Sequence, residues 1–182
     1  MRKAKKKVGL IVAVIAGIIV AVCLILLIVL TVTEYRPADE EPLAIRGRAV
    51  KKLHPGDSID IVTWNIGFGA LGDNADFFMD GGTKVKPSTK ERVQENIDAI
   101  TDFLSEEEAD LVLLQEVDEK STHSYYMDER TMIALGLSNA GLQYENRLAY
   151  NFKTLLVPYP IPPIGREQSG QVTFSAYPSS EA

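Results

Sequence analysis

Residues Val8 to Leu30 form a run of 23 with no charge and no strongly polar side chain. At ~1.5 Å per residue such a run reaches roughly 34 Å as a helix, enough to cross a hydrocarbon core about 30 Å thick. Lipid offers backbone amides no partner, so the segment has to satisfy them within itself, as a helix. Arg2, Lys3, Lys5, Lys6 and Lys7 precede it, with no acidic residue among them. Basic flanks are held on the cytoplasmic side. The pattern predicts a cytoplasmic tail over 1–7, one helix over 8–31 spanning the cell membrane, and the remainder extracellular or lumenal. A cleaved signal peptide fits less well, because its apolar part runs to about 7–15 residues and ends in small ones. Here the run is longer, and no A-x-A site follows before Glu34. A lipoprotein signal would use Cys23, but Val22 stands where a small residue is wanted. Cys23 is the only cysteine, which excludes an intramolecular disulfide.

Beyond the tail the balance of charge changes sign. The tail holds five of the 19 basic residues, so the rest carries 14 basic against 25 acidic, a difference of -11. A surface of that sign repels polyphosphate chains unless a cation or a local basic patch intervenes, which weighs against a DNA-coating role. Residues 32–58 contain Pro37, Pro42 and Pro55 among mixed charges and read as a stalk, with an edge strand conceivable at Leu43–Leu53. The globular part is expected over 59–182.

Ile59-Asp-Ile-Val-Thr-Trp-Asn65 has the β-branched and aromatic content of a strand, bounded by Gly56 and Gly67. A polar, glycine-rich loop over Gly67 to Pro87 follows. A helix then opens at Ser88 or Thr89, where Ser88-x-x-Glu91 fits a capping box. Val93, Ile97, Ile100 and Leu104 recur at helical spacing and predict its buried face, with Glu95, Asp98 and Asp102 in water. Asp110-Leu-Val-Leu-Leu-Gln-Glu116 reads as a second strand, covered on both faces. It ends abruptly in Gln115 and Glu116, and the first strand ends in Asn65. Parallel strands joined through a helix are usually neighbours, so Asn65 and Glu116 are expected at one end of a sheet. A carboxylate and an amide there suit a hard cation such as Mg²⁺; a turn-forming asparagine and a helix-starting glutamate would look the same in sequence.

Trp64-Asn65-Ile66-Gly67, Leu114-Gln115-Glu116-Val117 and Ser169-Gly170-x-Val-Thr-Phe-Ser175-x-Tyr-Pro178 resemble the successive motifs of the endonuclease/exonuclease/phosphatase superfamily, the DNase I-like enzymes. The resemblance covers about Ile59 to Pro178. It implies an α/β fold, the N-terminal part of a four-layer α/β sandwich, and cleavage of phosphoester bonds with Mg²⁺, or Mn²⁺ or Ca²⁺. By that resemblance Glu116 is the metal ligand and Asn65 lies in the same catalytic site and helps arrange it. Asn151, in a strand around Tyr150-Asn151-Phe152, is a candidate for substrate contact. His123 is expected in an exposed loop, and Tyr125 and Tyr126 at the start of a helix running to Leu137. Ala176 stands where related sequences often carry a cation, which removes a phosphate contact from that position.

The later motifs implied by the resemblance, G-D-x-N and S-D-H, do not occur in the sequence, and His54 and His123 are its only histidines. The general base and the residues that orient the attacking water are therefore expected beyond Ala182. A sandwich of this kind needs on the order of 250 residues. The expectation is a piece of a longer membrane-anchored enzyme, inactive by itself. Its substrates would be a nucleic acid, a phospholipid head group or a small phosphoester. The competing class is a non-catalytic, membrane-tethered binding module or remnant of the same fold.

Overall fold

A computed structural model describes residues 2–179, with side chains from Lys6 onward. Two compact units follow one another along the chain, dividing between Glu34 and Tyr35. Of the globular part expected over 59–182, the last residues, Ser180 to Ala182, lie outside the described residues.

The first unit is helix α1, Arg2–Val32. Lysine and alanine are good helix formers, and nothing in 2–7 breaks the pattern, so the basic residues extend the helix instead of forming a separate tail. Within Lys6–Val32 an 18-residue stretch reaches mean hydropathy 3.5, and none of that stretch is buried. At about 40 Å, the whole segment is long and apolar enough to cross a bilayer. Thr31 and Thr33 return their hydroxyls to the carbonyls of Leu27 and Val29, four residues back.

The second unit is mixed α/β. Five strands, β1 (Arg46–Gly47), β2 (Ile61–Asn65), β3 (Leu111–Asp118), β4 (Glu145–Val157) and β5 (Gly165–Ser175), form one sheet in the order β1-β4-β5-β3-β2. Two helices, α2 (Lys90–Glu107) and α3 (Glu129–Asn139), complete it. β2 and β3 are parallel, with Asn65 opposite Gln115; β5 runs antiparallel to both β3 and β4. β4 therefore points the same way as β3, and the carboxyl ends of β2, β3 and β4 lie at one end of the sheet.

Val93, Ile97, Ile100 and Leu104 of α2 are buried as their spacing predicts, and meet Ile133 and Leu137 of α3 over Val112, Leu114, Val172 and Phe174. β3 is packed on one face only among the described residues: Val112 and Leu114 are buried while Leu111 and Leu113 remain half-buried. The expectation of cover on both faces is corrected here. Both helices lie against the same face, so the apolar run reads as buried through composition alone.

Local chemistry decides between the two expected caps of α2 and moves the start of α3. The cap of α2 is Thr89, whose hydroxyl accepts from the Arg92 amide at 3.2 Å, and not Ser88, whose hydroxyl is buried without a hydrogen-bond partner. Thr89→Ala is expected to cost about 1 kcal/mol, and Ser88→Ala to be near neutral. Urea melts in micelles check this; the reverse order would restore the Ser88 box. α3 begins at Glu129, capped by the Asp128 carboxylate, which accepts from the Thr131 amide at 3.0 Å. Tyr125 and Tyr126 precede it with left-handed backbone (φ 59° and 60°), so they form a turn and not the helix start.

Residues 35–58, read as stalk, belong to the second unit. Arg46–Gly47 pairs with Asn146 and Glu145 of β4, Ala49 is buried, and the Lys51 amine lies 2.7 Å from the Asp110 carboxylate. Prolines and mixed charge suggested a linker, but pairing at a sheet edge needs few apolar residues.

Candidate active site

Asn65 closes β2 and Glu116 closes the regular part of β3. The Asn65 amide donates from Nδ2 to Glu116 Oε1 at 2.8 Å, while its Oδ1 accepts from the Gly67 amide at 3.0 Å. That second bond is an Asx turn, which fixes the asparagine and so aims its amide. The Gln115 amide ties the adjacent residues together through Thr63 Oγ1 and the Leu113 carbonyl.

Glu116 sits in a β-bulge: the β3–β5 register shifts between Leu114 and Val117, and Glu116 has φ 53°. A bulge re-aims a side chain, and left-handed backbone is uncommon for a residue with a Cβ. The flat ladder would send the side chain of residue 116 to a fixed face, whereas the bulge turns it to Asn65. Glu116, Asn65, Trp64, Leu71 and Asn96 line an open cleft of about 480 Å³. Its wall is held by Asn96 Nδ2, which donates to the Gly69 carbonyl at 2.7 Å. A Cβ at Gly69 would come within 2.8 Å of the Ile97 side chain, so only glycine lets this loop lie against α2.

Glu116 Oε2 receives no hydrogen bond among the described residues. One uncommitted carboxylate oxygen in an open cleft fits a hard divalent cation of the Mg²⁺ type, which binds through one or two carboxylates and fills its shell with water and substrate oxygens. Such an ion, when bound, supplies positive charge where a phosphate oxygen becomes more negative.

Beneath the bulge lies a buried polar layer that the sequence did not disclose. His123 is buried and not in an exposed loop, which corrects the earlier expectation. Its Nε2 is 2.7 Å from Asp118 and its Nδ1 2.7 Å from Glu167. At these distances a protonated ring forms an ion pair with each carboxylate. Burial pushes the imidazole down, but the two carboxylates outweigh it and hold its pKa at about 9. Glu129 is fully buried: burial and the neighbouring Asp118 raise its pKa well above the usual carboxylate range, and its Oε2 accepts from the Asp118 amide at 2.8 Å. Burial likewise raises Glu167. Asp118, His123 and Glu167 offer ligand atoms within 4.8 Å of one another. A single cation could take only one ring nitrogen, and the two nitrogens face different carboxylates. An imidazolium between them satisfies the cluster, so it is read as structural.

A group whose pKa is raised by folding stabilises the fold fully below its unfolded value, near 6.5 for histidine, and loses that contribution as pH passes the folded value. Melting temperature in micelles is therefore expected to fall between about pH 6.5 and 9. A melting temperature that rises across this window would show that His123 is not charged at neutral pH.

The remaining expected residues are placed as follows. Asn151 is exposed in a second bulge, between Tyr150 and Phe152 of β4. Tyr150 pairs with Gly170, which pairs with Val117, so Asn151 stands at the site end of the sheet but across β5 from Glu116. Ala176 is buried at the opposite end, its amide bonded to the Asp110 carbonyl, and faces away from any phosphate at Glu116. His54 is exposed beside Asp57, so among the described residues neither histidine lines the cleft. The general base and water-orienting residues expected beyond Ala182 fall outside the described residues, which run to Ser179. Only burial separated His123 from an ordinary loop histidine; the acidic Asp118 and Glu167, 5 and 44 positions away in sequence, gave no joint signal.

The family model described as Endonuclease/Exonuclease/phosphatase family matches residues 62–182. No curated protein and no solved structure matches the chain.

Proposed function

Because the chain belongs to the Endonuclease/Exonuclease/phosphatase family, we propose that it is the cation-binding part of a membrane-anchored, divalent-metal-dependent phosphoesterase. The observation that carries this reading is the Asn65–Glu116 pair at 2.8 Å, with one carboxylate oxygen open to the cleft. Glu116 would hold Mg²⁺, or Mn²⁺ or Ca²⁺, and Asn65 would orient it. Family membership supports a phosphoester substrate: a phosphodiester or phosphomonoester in nucleic acid, a phospholipid head group or a small molecule.

In this reading the residues present bind the cation and orient the phosphoester, and no described side chain at the cleft serves as base; that group would follow Ala182. The 182-residue chain is accordingly expected to bind divalent cations without turning over substrate. Calorimetry with Mg²⁺ and Mn²⁺ on the chain in micelles, beside a screen of phosphodiesters and phosphomonoesters, tests it. Absence of cation binding would sink the reading, and rapid turnover would show that the base is already present.

The anchor is part of the same proposal: α1 spans the membrane with its lysines in the cytoplasm and the second unit outside or in a lumen. Protease added outside intact cells is expected to release the second unit beyond Glu34. Full protection, with other outer-surface proteins cleaved, would reverse the orientation.

A further inference from the structure

β4 and β5 continue past the rest of the sheet. β3 pairs with β5 only as far as Asp118 opposite Ser169, whereas β4 goes on pairing with β5 from Lys153 opposite Gln168 to Val157 opposite Gly165. The result is a β4–β5 ribbon closed by the loop 158–164, its β5 edge bordered by residues 119–122, where the Glu119 and Thr122 amides donate to the carbonyls of Gln168 and Arg166. Its outer residues are apolar and in water: Phe152 and Leu155 are exposed, Tyr159 is 67% exposed and Ile161 90%. A large aliphatic side chain left almost wholly in water calls for an explanation when others share its patch.

Charge narrows the occupant. Residues 151–164 contain no acidic side chain and one lysine, Lys153, in a unit whose sequence is otherwise strongly acidic. Pro160 and Ile161 share a cleft with Phe78, Lys84 and Lys86, and the Phe78 and Tyr159 rings meet edge to face at 5.5 Å. Aromatic and aliphatic side chains bordered by lysines are the composition of a surface that lies in a membrane interface, the rings at head-group level and the ammonium groups on anionic lipid.

Within the second unit the Lys153 amine lies 5.8 Å from the Tyr35 ring and 5.3 Å from that of Tyr150, which adds two aromatic rings at the base of the ribbon. The ribbon also projects from the sheet end that carries Asn65 and Glu116.

We propose that the apolar tip of the β4–β5 ribbon, around Tyr159 and Ile161 with Lys153, Lys84 and Lys86, rests in the head-group layer of an anionic bilayer and presents the Asn65–Glu116 end of the sheet to it. This rests on the reading of α1 as a membrane anchor, and it favours lipid head groups among the substrates of that site.

The test uses the full chain in phosphatidylcholine vesicles with and without phosphatidylserine. An environment-sensitive fluorophore is attached at one cysteine at a time: at native Cys23 within α1, or at Ile161→Cys or Glu106→Cys in a Cys23→Ser background. Glu106 is exposed near the carboxyl end of α2, at the opposite end of the sheet. With phosphatidylserine present, the label at 161 is expected to be quenched by nitroxide lipids, and to resist aqueous iodide at least about threefold better than the label at 106. Lys84→Glu with Lys153→Glu, or removal of phosphatidylserine, is expected to diminish both effects. A label at 161 as open to iodide as that at 106 overturns the proposal, as does shielding from iodide without lipid quenching, which would mean a protein cover. Lipid quenching at Cys23 but not at 161 leaves the anchor standing and removes only the ribbon; quenching at neither removes both.

Discussion

Glu116→Gln is expected to weaken divalent-cation binding at least about 100-fold, which corresponds to roughly 3 kcal/mol, and to remove phosphoester hydrolysis from an intact enzyme built on this chain. The substitution keeps the shape and the hydrogen bond from Asn65 Nδ2, since an amide oxygen accepts as a carboxylate oxygen does. What it removes is the negative charge, the one feature of the pair that a hard cation needs. The fold should be little changed, because Glu116 is half-exposed and its bulge is set by the backbone. Calorimetric titration with Mn²⁺, beside circular dichroism to verify the fold, reads both halves. A variant that binds Mn²⁺ as the unaltered chain does would place the cation elsewhere, and the buried Asp118–His123–Glu167 cluster would then be the next position to test.

His123→Ala should be the most destabilising single change in the second unit, at about 3–5 kcal/mol. Removing one partner of a buried ionic cluster leaves the others charged and without a counter-ion. Asp118 and Glu167 are almost wholly buried, so neither can turn to water. Part of the loss is the cavity left by a ring packed 3.9 Å, centroid to centroid, from Phe68. The two contributions separate in a second variant. Asp118→Asn, His123→Gln and Glu167→Gln together remove the charges while filling most of the space, and should recover more than half of the loss. Urea denaturation in micelles measures both. If the triple variant is as unstable as His123→Ala, packing and not charge is what His123 supplies. If His123→Ala costs under about 1 kcal/mol, the cluster is not an ionic one.

Asp118 lies two positions beyond Glu116 on β3, so the cluster also anchors the strand just past its bulge. A charged side chain in a cleft can be positioned only if the backbone under it does not move. The buried layer of Asp118, His123, Glu129 and Glu167 gives that backbone a fixed footing through side chains from β3, α3, β5 and the turn before α3.

Several features of this protein were legible from residue order alone, and each depends on forces acting over a few positions. An uninterrupted apolar run of 23 residues can bury its amides only as a helix. The buried stripe of α2 follows from a period near 3.6. The parallel pairing of β2 and β3 follows from the helical crossover between them, and it brought Asn65 and Glu116 to the same end of the sheet. Packing between distant segments decided the rest. Nothing near Glu116 announces a bulge, because the shift arises where β3 must keep pairing with β5, some 55 residues away. Sequence left Ser88 and Thr89 both open as the cap of α2, and the structure uses Thr89; the start of α3 moved from Tyr125 to Asp128, because several neighbouring residues could cap. His123 became a buried cation only when β5 delivered Glu167 to its far side. A side chain's charge state depends on which groups surround it in space, and residues 44 positions apart carry no local trace of that meeting.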